Sequence, residues 1–263
     1  MKRTPVQLNF HDYPEELSCF LRDYAVFDSS CSADAEVRFI DGEEGFFLKT
    51  AAEGSLRTES LMTAYMHTLS LSAEVLYYGT SNGKDYLLTR RIPGEDGTDL
   101  RYLSDPERLC DATASFLRRL HERDGRNCPV QDRIRTYTEA VMHGMERHHY
   151  EPDLFRDLWE FDSYEEAKSA AEEGLSLLKR EVILHGDYCL PNILLKDWEF
   201  SGFIDVGNGG IGDRHIDLLW GIWTLSYNLK TTAYTDRFMD AYGRDKIEPE
   251  ILRMVAAMEM IGG

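Results

Sequence analysis

The sequence predicts an α+β chain in two lobes, a small β-rich one over residues 1–90 and a larger, mainly helical one over residues 91–263. Three observations carry this. Short aromatic and β-branched runs crowd the first part of the chain. Pro93-Gly94 breaks the last of those runs. Beyond the break, apolar residues recur at helical spacing.

Taken in order, Glu36-Val37-Arg38-Phe39-Ile40 and Gly45-Phe46-Phe47-Leu48-Lys49 flank an Asp41-Gly42 turn and read as a hairpin. Leu61, Met62, Tyr65, Met66 and Leu69 then mark a helix over 59–69. Tyr86-Leu87-Leu88-Thr89 is a further strand, and 88–94 is the expected connection between the lobes. Ser104-Asp105-Pro106-Glu107 combines a capping box with proline in the first turn, and Leu109, Thr113, Phe116, Leu117 and Leu120 follow on one face. Ser163-Tyr164-Glu165-Glu166 is a second capping box, opening a helix towards Lys179. Short apolar strands return between Val182 and Val206, and from Asp213 onward the chain reads as helix.

Composition narrows the function. No apolar run approaches the roughly 20 residues of a membrane helix. The stretch Met1 to Phe10 is polar and lacks the apolar core of a signal peptide. Cys19, Cys31, Cys110, Cys128 and Cys189 are scattered and form no C-x-x-C pair, so neither a disulfide framework nor a zinc site is indicated and a cytoplasmic setting is expected. The net charge of −18 argues against nucleic acid or an anionic membrane as partner. It suits a polycationic ligand, although net charge by itself is better explained by solubility alone. No protein partner is implied.

The chemistry concentrates in His185-Gly186-Asp187-Tyr188-Cys189-Leu190-Pro191-Asn192, followed by Gly202-Phe203-Ile204-Asp205-Val206-Gly207. Asp187 and Asn192 fall on a loop between apolar segments, and Asp205 ends the second arm of a hairpin. Phosphoryl transfer requires such a set: a carboxylate to orient and deprotonate an attacking hydroxyl, and oxygen ligands to hold Mg²⁺ on phosphates. Taken singly, each residue is also explained as a turn residue, a strand-edge amide or a helix cap.

This block resembles the aminoglycoside phosphotransferases, and among them the 3′-phosphotransferases. The match to His-Gly-Asp-x-x-x-x-Asn is complete, as is the match over Ser201-Gly202-Phe203-Ile204-Asp205-x-Gly207, and Asp213-Arg214 and Asp217 fall at the family's later positions. Protein kinases begin the corresponding loop His-Arg-Asp. Weaker similarity covers most of the chain and is poorest between Arg126 and Lys179.

The resemblance implies a two-lobed, protein-kinase-like fold, with a nucleotide-binding N-terminal lobe and a catalytic, acceptor-binding C-terminal lobe. It implies ATP or GTP with Mg²⁺ as cofactors and a small cationic acceptor. Asp187 is then the catalytic base, Asn192 and Asp205 the magnesium ligands, and Asp217 a brace for the catalytic loop. Lys49 resembles the strand lysine that contacts the α- and β-phosphates, and Glu59 the glutamate that pairs with it. Ser29-Ser30-Cys31-Ser32 sits where the family covers the phosphates with a serine-bearing loop; Ser32 aligns best, and a polar turn explains the stretch equally. The Arg90 carbonyl and Ile92 amide correspond to the backbone groups that read adenine. Asp157 and Glu160 fall among the acidic residues that meet amines of the acceptor, where a solvated helix end is the alternative, and Glu259 corresponds to a C-terminal acidic contact.

Three positions depart from the pattern. The arginine expected after Asp-x-Gly is Asn208, an expected glutamate is Tyr227, and the tail ends Met260-Ile261-Gly262-Gly263 without an acidic pair and terminal phenylalanine. Asn208 therefore counts as an acceptor-side position that has lost a cation. The expected activity is phosphoryl transfer to a hydroxyl of an aminoglycoside-like polyamine sugar. Another small alcohol (a sugar, amino alcohol or macrolide) is the alternative acceptor, and a non-catalytic nucleotide-binding relative the alternative class.

Overall fold

The computed structural model describes residues 4–9, 13–22, 24–31, 34–42 and 44–262. They form two compact units: the chain up to Pro93 together with Gly202–Gly207, and Gly94–Ser201 together with the chain from Asn208 onward. The short segment carrying Asp205 thus packs with the first unit, although it follows the strands of the second.

In the first unit a six-stranded antiparallel sheet runs in the order β1-β2-β3-β4-β6-β5. Its members are β1 (Thr4–Val6), β2 (Ala25–Asp28), β3 (Ala35–Asp41), β4 (Phe46–Ala52), β5 (Val75–Ser81) and β6 (Lys84–Arg90), with the short α1 (Ser18–Leu21) between β1 and β2 and α2 (Arg57–Thr68) between β4 and β5. The expected hairpin is β3–β4, in register with Phe39 opposite Phe47. Leu48 is fully buried with Leu17, Leu21, Ile40, Tyr86 and Leu88. Because side chains alternate along a strand, the next residue, Lys49, turns to the opposite face.

Helix α2 has no side-chain cap of its own. Its cap is remote: the buried carboxylate of Asp85 on β6 accepts from the Leu56 N–H at 3.0 Å and from the hydroxyls of Thr80 and Tyr78 at 2.8 and 3.1 Å. Burial alone would raise the Asp85 carboxyl, but these donors hold it below its ordinary value. The first turn of α2, which carries Glu59, is thereby tied to the sheet.

The second unit opens with β7 (Glu95–Asp96), α3 (Leu100–Leu103) and α4 (Pro106–His121). The cap of α4 is Asp105, which accepts from the Arg108 N–H at 3.3 Å, whereas Ser104 ends α3. The capping box expected at Ser104 is displaced because Pro106 occupies the first helical position and fixes the residue before it as the cap. α5 (Arg133–Glu146) and α6 (Tyr164–Leu175) follow. Ser163 caps α6, accepting from the Glu166 N–H at 3.2 Å, and the Glu166 carboxylate accepts from the Asp162 N–H at 2.7 Å. The helix stops at Leu175, short of Lys179, whose own N–H donates to Asp213 at 2.8 Å.

Then come β8 (Val182–Leu184), β9 (Ile193–Lys196), β10 (Glu199–Phe203) and β11 (Gly210–Gly212). β9 and β10 form the expected hairpin through Asp197 and Trp198, both at positive φ (52° and 71°), the signature of a tight turn that follows the strand twist. β8 pairs with β11, placing Leu184 opposite Gly210. The chain ends in α7 (Arg214–Leu229), α8 (Thr235–Tyr242) and α9 (Pro249–Gly262). α9 packs against α5, α6 and α7, and α8 against α4, where Arg237 bridges Asp111 and Glu107 at 2.7 and 2.8 Å. Among the described residues no helix is long and apolar enough to cross a membrane.

Candidate active site

The segment between β8 and β9 carries Asp187 and Asn192. Gly186 sits at φ 86°, and a Cβ there would lie 2.0 Å from the Asn208 carbonyl oxygen, so only glycine permits the turn that presents Asp187. The turn is anchored from below. The fully buried carboxylate of Asp217 on α7 accepts from the His185 and Gly186 N–H groups, each at 2.8 Å. It also accepts from His121 Nε2 at 3.1 Å, and the Tyr242 hydroxyl lies 2.8 Å from His121 Nδ1. A carboxylate only accepts, so Nε2 carries the imidazole proton.

Asn192 closes a 3-10 turn, Leu190–Asn192. Its amide nitrogen donates to Asp187 Oδ2 at 2.8 Å and to the Asp187 carbonyl at 3.1 Å, which fixes the orientation of the carboxylate and leaves the amide oxygen of Asn192 as an acceptor. Leu190 N–H donates to the Thr224 hydroxyl at 3.0 Å, holding the turn to α7. Cys189 is buried beside Asp187, and burial pushes its thiol far above the ordinary range, so it stays protonated and inert.

In the first unit, the Lys49 ammonium lies 2.7 Å from Glu59 Oε2 and 2.6 Å from Asp205 Oδ1. Burial would lower the Lys49 pKa, but the two carboxylates outweigh it and raise the value. Burial likewise raises Glu59, more than the ammonium lowers it. One cation therefore serves two acids. Asp205 is the exposed member and, though not glycine, sits at φ 60° in the left-handed region. Asp tolerates this better than most residues, and such strain concentrates at functional sites.

Other expected positions are placed with different clarity. Ser32 lies outside the described residues. Ile92, in the connection after β6, has an N–H with no hydrogen-bond partner among the described residues. Arg90 ends β6, and its side chain pairs with Glu74 at 2.8 Å and with Glu44. On the acceptor side, Asp157 lines a cavity of about 930 Å³ within the second unit, and Glu160, also exposed, does not line it.

Asn208 differs from expectation. Its Oδ1 accepts from the Arg133 guanidinium at 3.0 Å, so a cation missing from this position in the sequence is delivered by α5 instead. Glu259 differs as well. It is no free tail contact but a largely buried residue of α9, beside Tyr137, Trp220 and Arg133, and burial pushes its carboxyl up to about 7. Asp85 and Arg133 escaped the sequence reading because each acts on a residue dozens of positions away.

The raised Glu59 and Glu259 carboxyls have a stability consequence, sharpest at Glu259. A carboxyl whose folded pKa is about 7 against an ordinary 4.5 binds more protons folded than unfolded across that window. Stability therefore falls as pH rises from about 4.5 through about 7, and the cost persists above it. Glu259→Gln, which keeps the shape without the charge, should melt higher than wild type at about pH 8 and close to it at about pH 5. Thermal unfolding at both pH values measures this; an equal offset at the two would remove the buried carboxylate as its cause.

Residues 25–254 match the model of the phosphotransferase enzyme family. The chain is 41% identical over 257 residues, 98% of each chain, to a probable aminoglycoside 3′-phosphotransferase of Lactococcus lactis subsp. lactis strain IL1403. It is 28% identical over 211 residues, 79% of this chain and 80% of the other, to the aminoglycoside 3′-phosphotransferase of Niallia circulans. An aminoglycoside phosphotransferase from Streptomyces rimosus, solved with ADP and streptomycin, superposes with a TM-score of 0.70 at 19% identity, covering 91% of this chain and 90% of that one. At that identity the likeness establishes the two-lobed, kinase-like fold. With a family match across most of its length and a full-length relative at 41% identity, the chain belongs to the aminoglycoside phosphotransferase family.

Proposed function

We propose that this protein transfers the γ-phosphate of ATP to a hydroxyl of an aminoglycoside, with Asp187 as the general base. The observation that carries the reading is the catalytic loop: a carboxylate oriented by Asn192 on a backbone whose buried N–H groups are secured by Asp217. Asp187 accepts the proton of the acceptor hydroxyl as its oxygen attacks the γ-phosphorus, and ADP leaves. Direct transfer needs positioning and charge neutralisation, so no phosphoenzyme is required.

Lys49 meets the α- and β-phosphates, held in place by Glu59 and released from Asp205 as the phosphates arrive. The Ile92 N–H, without a partner among the described residues, and the Arg90 carbonyl bind the base. Magnesium suits the donor types present, since the Asn192 amide oxygen accepts no hydrogen bond among the described residues and Asp205 has a second carboxylate oxygen beside the one on Lys49. When bound, the ion neutralises charge developing on the transferring phosphoryl group. Asp157 and Glu160 provide negative charge for acceptor amines, consistent with the overall charge of −18. The setting is the cytoplasm, where ATP is available and thiols stay reduced, and the consequence of the activity is resistance to the acceptor antibiotic.

The test is an ADP-release screen of purified protein against aminoglycosides, macrolides and small amino alcohols. Turnover confined to aminoglycosides is expected; turnover only with another class would reassign the acceptor. Lys49→Met should raise the nucleotide KM at least about tenfold, the loss of one charge-assisted contact. Acceptor binding in the absence of nucleotide should not change. A variant whose main defect is in acceptor affinity would place Lys49 in a different site.

A further inference from the structure

Helix α7 carries an aromatic stripe that leaves the core. Trp220, Trp223 and Tyr227 follow helical spacing on one face; the two tryptophans are half-buried, and Tyr227 stands 57% exposed at the wall of the cavity. The stripe is braced. Trp223 Nε1 donates to the Leu154 carbonyl at 2.7 Å, and buried Phe155 meets Trp220 and Trp223 edge-on at 5.6 and 6.3 Å. Tyr227 stacks on Trp223 with ring centroids 5.0 Å apart and planes 20° from parallel.

A cation already rests on this shelf. Lys230 caps α7 in the left-handed conformation, φ 57°, and its ammonium lies 4.1 Å from the Tyr227 ring centroid. Across the cavity, Asp153 is paired with Arg156, whereas Asp157 makes no ion pair among the described residues. The cavity therefore presents one aromatic face occupied by a tethered ammonium and one uncommitted carboxylate.

We propose that Trp223 and Tyr227 form a docking shelf for an aminosugar ring of the acceptor, whose ammonium takes the place over Tyr227 now held by the Lys230 side chain while Asp157 receives a second ammonium. This rests on the aminoglycoside reading and specifies where such a ligand binds. The ring's quadrupole attracts a cation regardless of its source, and the C–H face of a sugar packs on the same surface. Lys230 is a flexible competitor, whereas a cyclic amine arrives with its cation already fixed to a rigid frame. Lys230 thus acts as a built-in threshold: only a ligand that replaces its contact gains the shelf.

The proposal predicts an unusual set of signs. Kanamycin binding to the intact protein is measured by calorimetry, and phosphorylation of kanamycin is assayed separately. Tyr227→Leu should weaken binding about three- to tenfold, the worth of a partly exposed cation–π contact. Tyr227→Phe should bind as wild type, because the hydroxyl takes no part. Lys230→Met should tighten binding about two- to fivefold. In the Tyr227→Leu background the Lys230 substitution should lose most of its effect, since the competition acts through the ring. An undiminished gain in the double variant would show plain charge repulsion and overturn the shelf. So would unchanged binding in Tyr227→Leu, or no kanamycin binding by any form. Binding with the expected signs but without phosphorylation would uphold the shelf while refuting the catalytic reading; phosphorylation with Tyr227 indifferent would do the reverse.

Discussion

Asp187→Asn is expected to lower kcat at least about 10²-fold, the usual scale for loss of a positioned base. A carboxamide has nearly the shape of the carboxylate, and its oxygen can still accept from the Asn192 amide that bonds Asp187 at 2.8 Å. The loop should therefore keep its conformation, the melting temperature should stay close to wild type, and nucleotide affinity should barely move. What the variant loses is the capacity to take the proton of the acceptor hydroxyl. Single-turnover rates at saturating nucleotide and acceptor isolate that step from binding. Retention of a third of the wild-type rate would remove Asp187 from the chemistry.

The largest expected effect on stability is at Asp217. Its carboxylate is fully buried and satisfies two backbone N–H groups and one imidazole N–H, at 2.8, 2.8 and 3.1 Å. Asp217→Ala leaves these donors buried without an acceptor, each at a cost of about 1–3 kcal/mol. The sum, discounted because water and small shifts relieve part of it, is about 3–5 kcal/mol, a large fraction of the 5–15 kcal/mol that stabilises typical folded proteins. Because the orphaned N–H groups belong to His185 and Gly186, the damage falls on the turn that presents Asp187. Chemical denaturation and hydrogen exchange at His185 and Gly186 give the measure. A loss below about 1 kcal/mol would mean that the loop is held by something else.

These residues also show what the sequence reveals and what it hides. Asp187, Asn192 and Asp205 are legible because they lie in one short, distinctive block, and the hairpin that joins them follows from apolar runs around a tight turn. Lys49 is picked out only by the resemblance; strand alternation after buried Leu48 explains why its side chain turns away from the core. Local signals can mislead by one residue: Ser104 and Asp105 both suit a cap, and only the geometry of proline at the first helical position selects Asp105. Long-range placements are hidden altogether. Nothing near Asn208 announces that Arg133, on a separate helix, restores a guanidinium there. Nothing in the first turn of α2 announces that Asp85 caps it from a neighbouring strand. Glu259 reads as a tail contact in the sequence, yet on α9 it lies largely buried beside Tyr137 and Trp220 from α5 and α7.

The loss of charge at Asn208 and Tyr227 consequently has two different meanings. At Asn208 the cation is resupplied, and the carboxyl of Glu259 retains a guanidinium beside it. At Tyr227 a stacked ring with a lysine across its face occupies the position. The second change puts an aromatic surface in place of a charged side chain; the first is offset by a guanidinium from another helix.

The most direct measurement of the central claim follows the phosphoryl group itself. The protein is incubated with γ-labelled ATP, Mg²⁺ and an aminoglycoside, and label is traced to acceptor, protein and inorganic phosphate. Direct transfer by the Asp187 loop predicts label on the aminoglycoside in step with ADP formed, none retained on the protein, and little ADP without acceptor. Label accumulating on the protein, or released as inorganic phosphate at a rate indifferent to the aminoglycoside, would contradict it.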